Sequence, residues 1–319
     1  MSVAINDGPC ARGSSLPWML VSAVALVLML LGLVMLFSAA QSVFRGAYVM
    51  LAKQAVWSVV ALIGFVFAAR IPIPLLRRYA WVLYGACILG LLLILIPGIG
   101  IKVNGAQRWL GFGPVRLQAS EFAKIGLVLA MAHYLACNQH ETKTFSKGFL
   151  VPGILIGSVC GLVILQPDFG TTVLLGSVGA ILLFQAGSNL LYLIPSAMLA
   201  TGAFSTLVYL DPIRLRRVTA FLDVQANLND GAYQLWQGIL AFGAGGMHGV
   251  GLGRGRQQLS FLPEAHTDFI FAVIGEELGL IFTVGVVLLF LMIFMVVSWQ
   301  ARKSPRLFDF LLLRSEEHT

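Results

Sequence analysis

Long apolar runs, broken by short polar segments, dominate the chain. Runs of about 18 residues or more recur, each long enough to cross a hydrocarbon core of about 30 Å as a helix. They do not alternate with polar faces, as the amphipathic helices of a soluble protein would. The pattern predicts eight spans, near residues 17–38, 47–69, 79–101, 121–137, 149–165, 170–187, 189–210 and 268–299. Most connections are short, and only 102–120 and 211–267 are long. Inside the second, residues 231–246 (GAYQLWQGILAFGAGG) are too few to span. Tyr233 and Trp236 near the start of that stretch favour the headgroup level, which predicts an interfacial or re-entrant helix. The first run is longer than the apolar core of a signal peptide, and no small-x-small cleavage site follows it. The expectation is an all-α polytopic membrane domain over 17–313 behind a cytoplasmic N-terminal tail, residues 1–16.

Composition sharpens this. Charged residues make up 11% of the chain against 58% hydrophobic, where a soluble domain carries about 25% charged. An ordinary soluble enzyme is excluded. Cys10, Cys87, Cys137 and Cys160 are scattered, with no spacing for a metal site or a disulfide framework. The formal net charge of +7 points to anionic partners, either lipid headgroups or a phosphorylated substrate. Orientation follows Lys and Arg in the short loops. Arg70, Arg77 and Arg78, then Lys143 and Lys147, then Arg302, Lys303 and Arg306 share one face, taken as cytoplasmic. The other face carries cations in the two long connections, where that bias is weakest, and anion binding is the reading they invite.

Four clusters on that outer face hold candidate chemistry. In VNGAQRWLGFGPVRLQASEFAK (103–124), Arg108, Trp109 and Arg116 are placed to grip a sugar phosphate, with a solvated loop as the alternative. Glu121 and Lys124 fall inside the next span, where ionisable groups are costly, and their i, i+3 spacing allows them to pair. In QPDFGTT (166–172), Asp168 sits in a natural turn and either caps span six or faces a cavity. In DPIRLRRVTAFLD (211–223), Arg214, Arg216 and Arg217 would hold a pyrophosphate or rest on headgroups as a charged loop. The fourth is LPEAHTDFIFAVIGEELG (262–279), which concentrates Glu264, Asp268, Glu276 and Glu277 out of only 14 acids. Thr267 reads as an N-cap, so Asp268 is expected in the first helical turn, where the helix dipole keeps it ionised. His266 is either an assistant or a solvated loop residue. Glu276 and Glu277 are expected to pair with basic residues. The glycine-rich GAGGMHGVGLGRGR (243–256) fits no nucleotide-loop pattern and reads as a flexible loop or a close backbone packing segment.

With these residues in place, the chain resembles the SEDS family (shape, elongation, division and sporulation). The matching pieces are NGAQRW, QASEFAK, QPDFGTT, RLRRVTAF, GAYQLWQ and LPEAHTDFIFAVIGEELG, in family order across nearly the whole chain. RLRRVTAF and LPEAHTDFIFAVIGEELG look more like the division branch than the elongation branch. The resemblance implies a helical bundle of ten spans, of which about eight are present, with the large outer loop between spans seven and eight. It implies polymerisation of lipid II, an undecaprenyl-pyrophosphoryl disaccharide-pentapeptide, by inverting glycosyl transfer with undecaprenyl diphosphate leaving. Asp268 matches the family's catalytic residue, and Trp109, Glu121 and Lys124 match positions needed for activity. The cofactor is left open between none and a divalent cation, Mg or Mn, at Asp268. The implied partners are an undecaprenyl-linked glycan strand, a class B penicillin-binding protein transpeptidase and other divisome proteins. The implied place is the bacterial inner membrane at the septum. A lipid II flippase is the alternative, and an ion-coupled transporter a more distant one. The ending RKSPRLFDFLLLRSEEHT departs from the family, whose members continue for two more spans; residues 314–319 read as an artefactual tail.

Overall fold

The computed structural model describes residues 16–40, 47–103, 106–112, 115–228, 232–257, 262, 265–304 and 307–315. Long helices carry the architecture: α1 (Leu16–Ala39), α2 (Ala47–Ala68), α3 (Ile73–Leu95), α4 (Ala119–Cys137), α5 (Val151–Ile164), α6 (Phe169–Gln185), α7 (Leu190–Tyr209) and α10 (Ile270–Arg302). Between α7 and α10 come the shorter α8 (Pro212–Leu222) and α9 (Tyr233–Gly245), and α11 (Leu307–Ser315) follows. Six helical stretches among the described residues are long and apolar enough to cross a membrane. They are α1, α2, α3, α5 with its leading π-turn Ser146–Leu150, α7 and α10. The other two expected spans correspond to α4, which carries Glu121 and Lys124, and to α6, at 17 residues. The protein is a polytopic helical membrane protein, and side chains such as Val56, Ile63 and Phe67 on α2 stand exposed as a lipid-facing surface would.

The chain forms two compact units, one of Met1–Phe65 with Pro212–Val296, the other of Val66–Asp211 with Val297–Thr319. The core of the second is built on α4, whose Leu127, Met131 and Leu135 are fully buried against α3, α5 and α6 side chains and Phe308 and Leu311 of α11. Lipid is as apolar as leucine, so close packing rather than water exclusion holds such helices together. Gly126 shows how close: a Cβ there would lie 2.6 Å from Cys87 Sγ on α3.

Two sequence expectations change here. Helix α3 begins at Ile73, not near 79, because Pro74 suits a first helical turn, so Arg77 and Arg78 lie within the helix. It ends at Leu95, and residues expected to be span and loop form a three-stranded antiparallel sheet instead. Strands β1 (Gly100–Val103), β2 (Ala106–Phe112) and β3 (Val115–Gln118) pair in order, with Trp109 opposite Ile101 and Gln118. Gln107 Nε2 ties β2 to the end of α3 through the Ile94 carbonyl, at 2.9 Å.

In the first unit, α1, α9 and the start of α10 share a small core of Met35, Ala39, Ala241, Ala272, Val273 and Ile274. The long last span is not straight. Helix α10 is interrupted at Gly279 (φ 79°, ψ −180°), a conformation open only to glycine. Within the long connection, Pro212–Leu222 form helix α8, with Ile213, Phe221 and Leu222 exposed. Arginines beside exposed apolar side chains suit a helix lying at the membrane surface.

Candidate active site

The second unit gathers one cluster. Asp168 is buried and caps α6: its Oδ1 accepts from Thr171 N at 3.3 Å and its Oδ2 from Thr171 Oγ1 at 2.9 Å. Gln118 at the end of β3 donates to Asp168 Oδ2 at 3.3 Å, and Arg108 Nη1 lies 3.8 Å from Oδ1. Arg108 also donates to the carbonyls of Gln166 and Pro167 in the turn between α5 and α6. Of the two readings for Asp168, the helix cap is therefore present, and Arg108 braces the sheet to the α5–α6 turn. Trp109, next on β2, is half-buried, and Arg116 on β3 is exposed. Lys124 Nζ pairs with Glu121 Oε2 at 2.7 Å on the first turns of α4.

The first unit holds the other cluster. A cavity of about 630 Å³ is walled by Met29, Gly32, Leu33 and Leu36 of α1, by Met50, Lys53, Gln54 and Ser58 of α2, and by His266, Thr267 and Ile270. That volume lies in the range of ligand pockets. Its wall is apolar except for one cation and a few hydrogen-bonding groups. The sequence reading missed Lys53, Gln54 and Ser58. The signal was an ionisable residue and its neighbour inside an otherwise apolar run, the same cue that singled out Glu121 and Lys124. Asp268 follows the lining residue Thr267. It is exposed, and among the described residues it makes no hydrogen bond or ion pair. It does not sit in the first helical turn: residues 265–269 are turns, and α10 starts at Ile270. Glu264 lies outside the described residues. Arg214, Arg216 and Arg217 are carried by α8 of this same unit.

The two glutamates of α10 are held by backbone amides and a hydroxyl. Glu276 Oε1 accepts from the backbone amides of Arg256 at 2.7 Å and Gln257 at 3.2 Å. Glu277 accepts from Ser38 Oγ at 2.7 Å and from Gly253 N at 3.0 Å. Among the described residues, no group of three or more His, Cys, Asp or Glu side chains is gathered to hold a metal ion.

These features define a polytopic helical membrane protein of the SEDS type, with a small extramembrane-type sheet and a broken last long helix. The chain matches the family of FtsW, RodA and SpoVE, described as cell cycle protein, over residues 18–315, and it belongs to that family. It is 41% identical over 272 residues to a probable peptidoglycan glycosyltransferase FtsW of Trichlorobacter lovleyi, covering 84% of this chain and 70% of the relative. The protein of the same description from Pseudomonas fluorescens is 36% identical over 290 residues, covering 89% and 71%. Among solved structures, the rod shape determining protein RodA of Thermus thermophilus superposes with a TM-score of 0.69 at 26% identity, covering 97% of this chain and 81% of that one. A chain from a peptidoglycan synthase complex, described for the coordination of polymerization and crosslinking, gives 0.72 at 25% identity, covering 97% and 84%.

Proposed function

We propose that the chain is a peptidoglycan glycosyltransferase that polymerises lipid II, with Asp268 as general base. The observation that carries this reading is an exposed, uncommitted carboxylate directly following the wall of a cavity whose lining suits a lipid phosphate. The named relatives support the same activity. The acceptor sugar hydroxyl of lipid II gives its proton to Asp268 as its oxygen attacks the anomeric carbon of the growing strand. The bond from that carbon to the phosphate oxygen breaks, and undecaprenyl diphosphate departs with the electron pair. Glycosidases generally need a second carboxyl group to protonate the leaving oxygen. A pyrophosphate leaves as a stable anion, so one base with cations for the departing charge suffices.

The remaining residues take roles from their surroundings. Lys53, Gln54 and Ser58 offer a cation and hydrogen-bonding groups to phosphate, while Met29, Leu33, Leu36 and Met50 suit a prenyl chain. Arg214, Arg216 and Arg217 add positive charge for the pyrophosphate, and His266 orients the acceptor from the cavity wall. Arg108, Asp168, Glu121 and Lys124 hold the sheet and the start of α4 so that Trp109 and Arg116 can contact the saccharide. The reading places the enzyme in the bacterial inner membrane at the septum, beside a class B transpeptidase that crosslinks its product. The test is purified chain with labelled lipid II in vesicles. Polymer made by the native chain and lost with Asp268→Asn supports the enzyme. Leaflet exchange of lipid II without polymer would replace it with a flippase.

A further inference from the structure

In an unbroken helix the amides of Leu280 and Ile281 would donate to the carbonyls of Glu276 and Glu277. At the Gly279 break these four groups are released and all find new partners in one loop. Leu280 N donates to Gly246 O at 2.9 Å and Ile281 N to Met247 O at 3.4 Å. In return, Glu276 O accepts from Val250 N and Glu277 O from Gly251 N, each at 2.9 Å. The glycine-rich segment is therefore inserted into the helix, with its backbone replacing the missing turn. Side chains other than hydrogen do not fit: a Cβ on Gly249 would lie 2.2 Å from Glu277 O, and one on Gly279 would lie 2.3 Å from Gly249 N.

The same two residues then bind the loop a second time. Their carboxylates are 2% and 1% exposed, and they accept from Gly253, Arg256 and Gln257 amides and the Ser38 hydroxyl. Hydrogen bonds to an ionised acceptor are about twice as strong as neutral ones. Leu262 N bonds Gln257 O at 2.9 Å, and Leu262 and Ala265 are buried beside Ala272 and Val273 of α10. The described residues before and after Asp268 are thus fixed to α10: Arg256 and Gln257 through Glu276, Leu262 and Ala265 through the core, and Ile270 as the helix's own start.

We propose that Glu276 and Glu277 are positioning residues for Asp268, clamping the loop that leads into its segment at the break of α10. This rests on the assignment of Asp268 as base. Neither glutamate is among the residues that line the cavity. Replacing either by Gln keeps the volume but turns one acceptor oxygen into a donor facing backbone N–H groups, so the loop end is released. Misplacing a reacting group by about 1 Å costs on the order of 10²-fold in rate, and that loss falls on kcat.

The experiment combines steady-state polymerisation of labelled lipid II with a nitroxide at position 254, an exposed loop site, in the full chain in nanodiscs. Glu276→Gln and Glu277→Gln are expected to lower kcat about tenfold to a hundredfold with KM unchanged, and to raise nitroxide mobility. Glu276→Asp, which keeps the charge, should recover part of both. Asp268→Asn should be inactive with an unaltered nitroxide spectrum. If a glutamine variant does not accumulate, Ser38→Ala removes one donor to Glu277 and should give a smaller change in the same direction. Unchanged mobility or unchanged kcat in the variants that accumulate overturns the clamp. An active Asp268→Asn protein with mobile-loop glutamine variants would instead overturn the base assignment.

Discussion

A carboxylate can take a proton in catalysis only if it is reachable and not already spent on other partners, and on both counts Asp268 stands apart. Asp168 is 7% exposed and holds Thr171, Gln118 and Arg108. Glu276 and Glu277 are buried on backbone amides, and Glu121 is paired with Lys124. Asp268→Asn should therefore lower polymerisation by about 10²–10⁴-fold, measured on lipid II at equal membrane levels. Asp268→Glu should keep a trace, because the base survives at the wrong distance. Asp168→Asn should do much less harm, since Asn caps a helix as well as Asp; a loss equal to that of Asp268→Asn would move the base to Asp168. Lys53→Gln removes the cavity's cation and should raise KM for lipid II more than it lowers kcat. The sequence singled out Asp268 by its place in a dense acid cluster, but it did not reveal Lys53. A lone cation in an apolar run says nothing of which distant residues will share its cavity.

At the level of elements, local pattern settled the helices and missed what depends on pairing. Apolar runs in α1, α2 and α7 are long enough to be read directly, and their bounds agree with expectation to within a few residues. The sheet over 100–118 was hidden by length alone: its strands hold four, seven and four residues, too short to outweigh the neighbouring apolar runs. The cue in the sequence is the dipeptide Asn-Gly at 104–105 after the alternation Ile101-Lys102-Val103. The glycine-rich segment reads as a flexible loop or a close-packing one; the structure selects the second, and nothing local says that its partner is a helix broken thirty residues on. That break carries its own expectation. Gly279→Ala forces a side chain into a glycine-only conformation and against Gly249, so it should cost at least about 1–3 kcal/mol. Thermal unfolding in detergent should show this as a lower midpoint, whereas Gly285→Ala, with open space around it, should not.

For the whole molecule, the strongest constraint is which connections share a face. Arg77 near the start of α3 stacks on Phe308 after α10, with 5.9 Å from its guanidinium carbon to the ring centroid. Its Nη2 reaches Cys137 Sγ at the end of α4, at 3.7 Å. Three cation-bearing connections, those after α2, α4 and α10, therefore meet at one end of the second unit. The sheet lies at the far end of α3, tied to the Ile94 carbonyl. By the bias of short loops toward cytoplasmic Lys and Arg, the first end is expected inside. The proposed reaction joins lipid-linked saccharides on the outer side, so the segment carrying Asp268 is expected there. In a variant lacking the native cysteines, a cysteine at position 254 should react with an impermeant maleimide in intact cells. One at position 143 should react only after permeabilisation. The reverse pattern would put Asp268 on the cytoplasmic face and leave it no growing strand to extend.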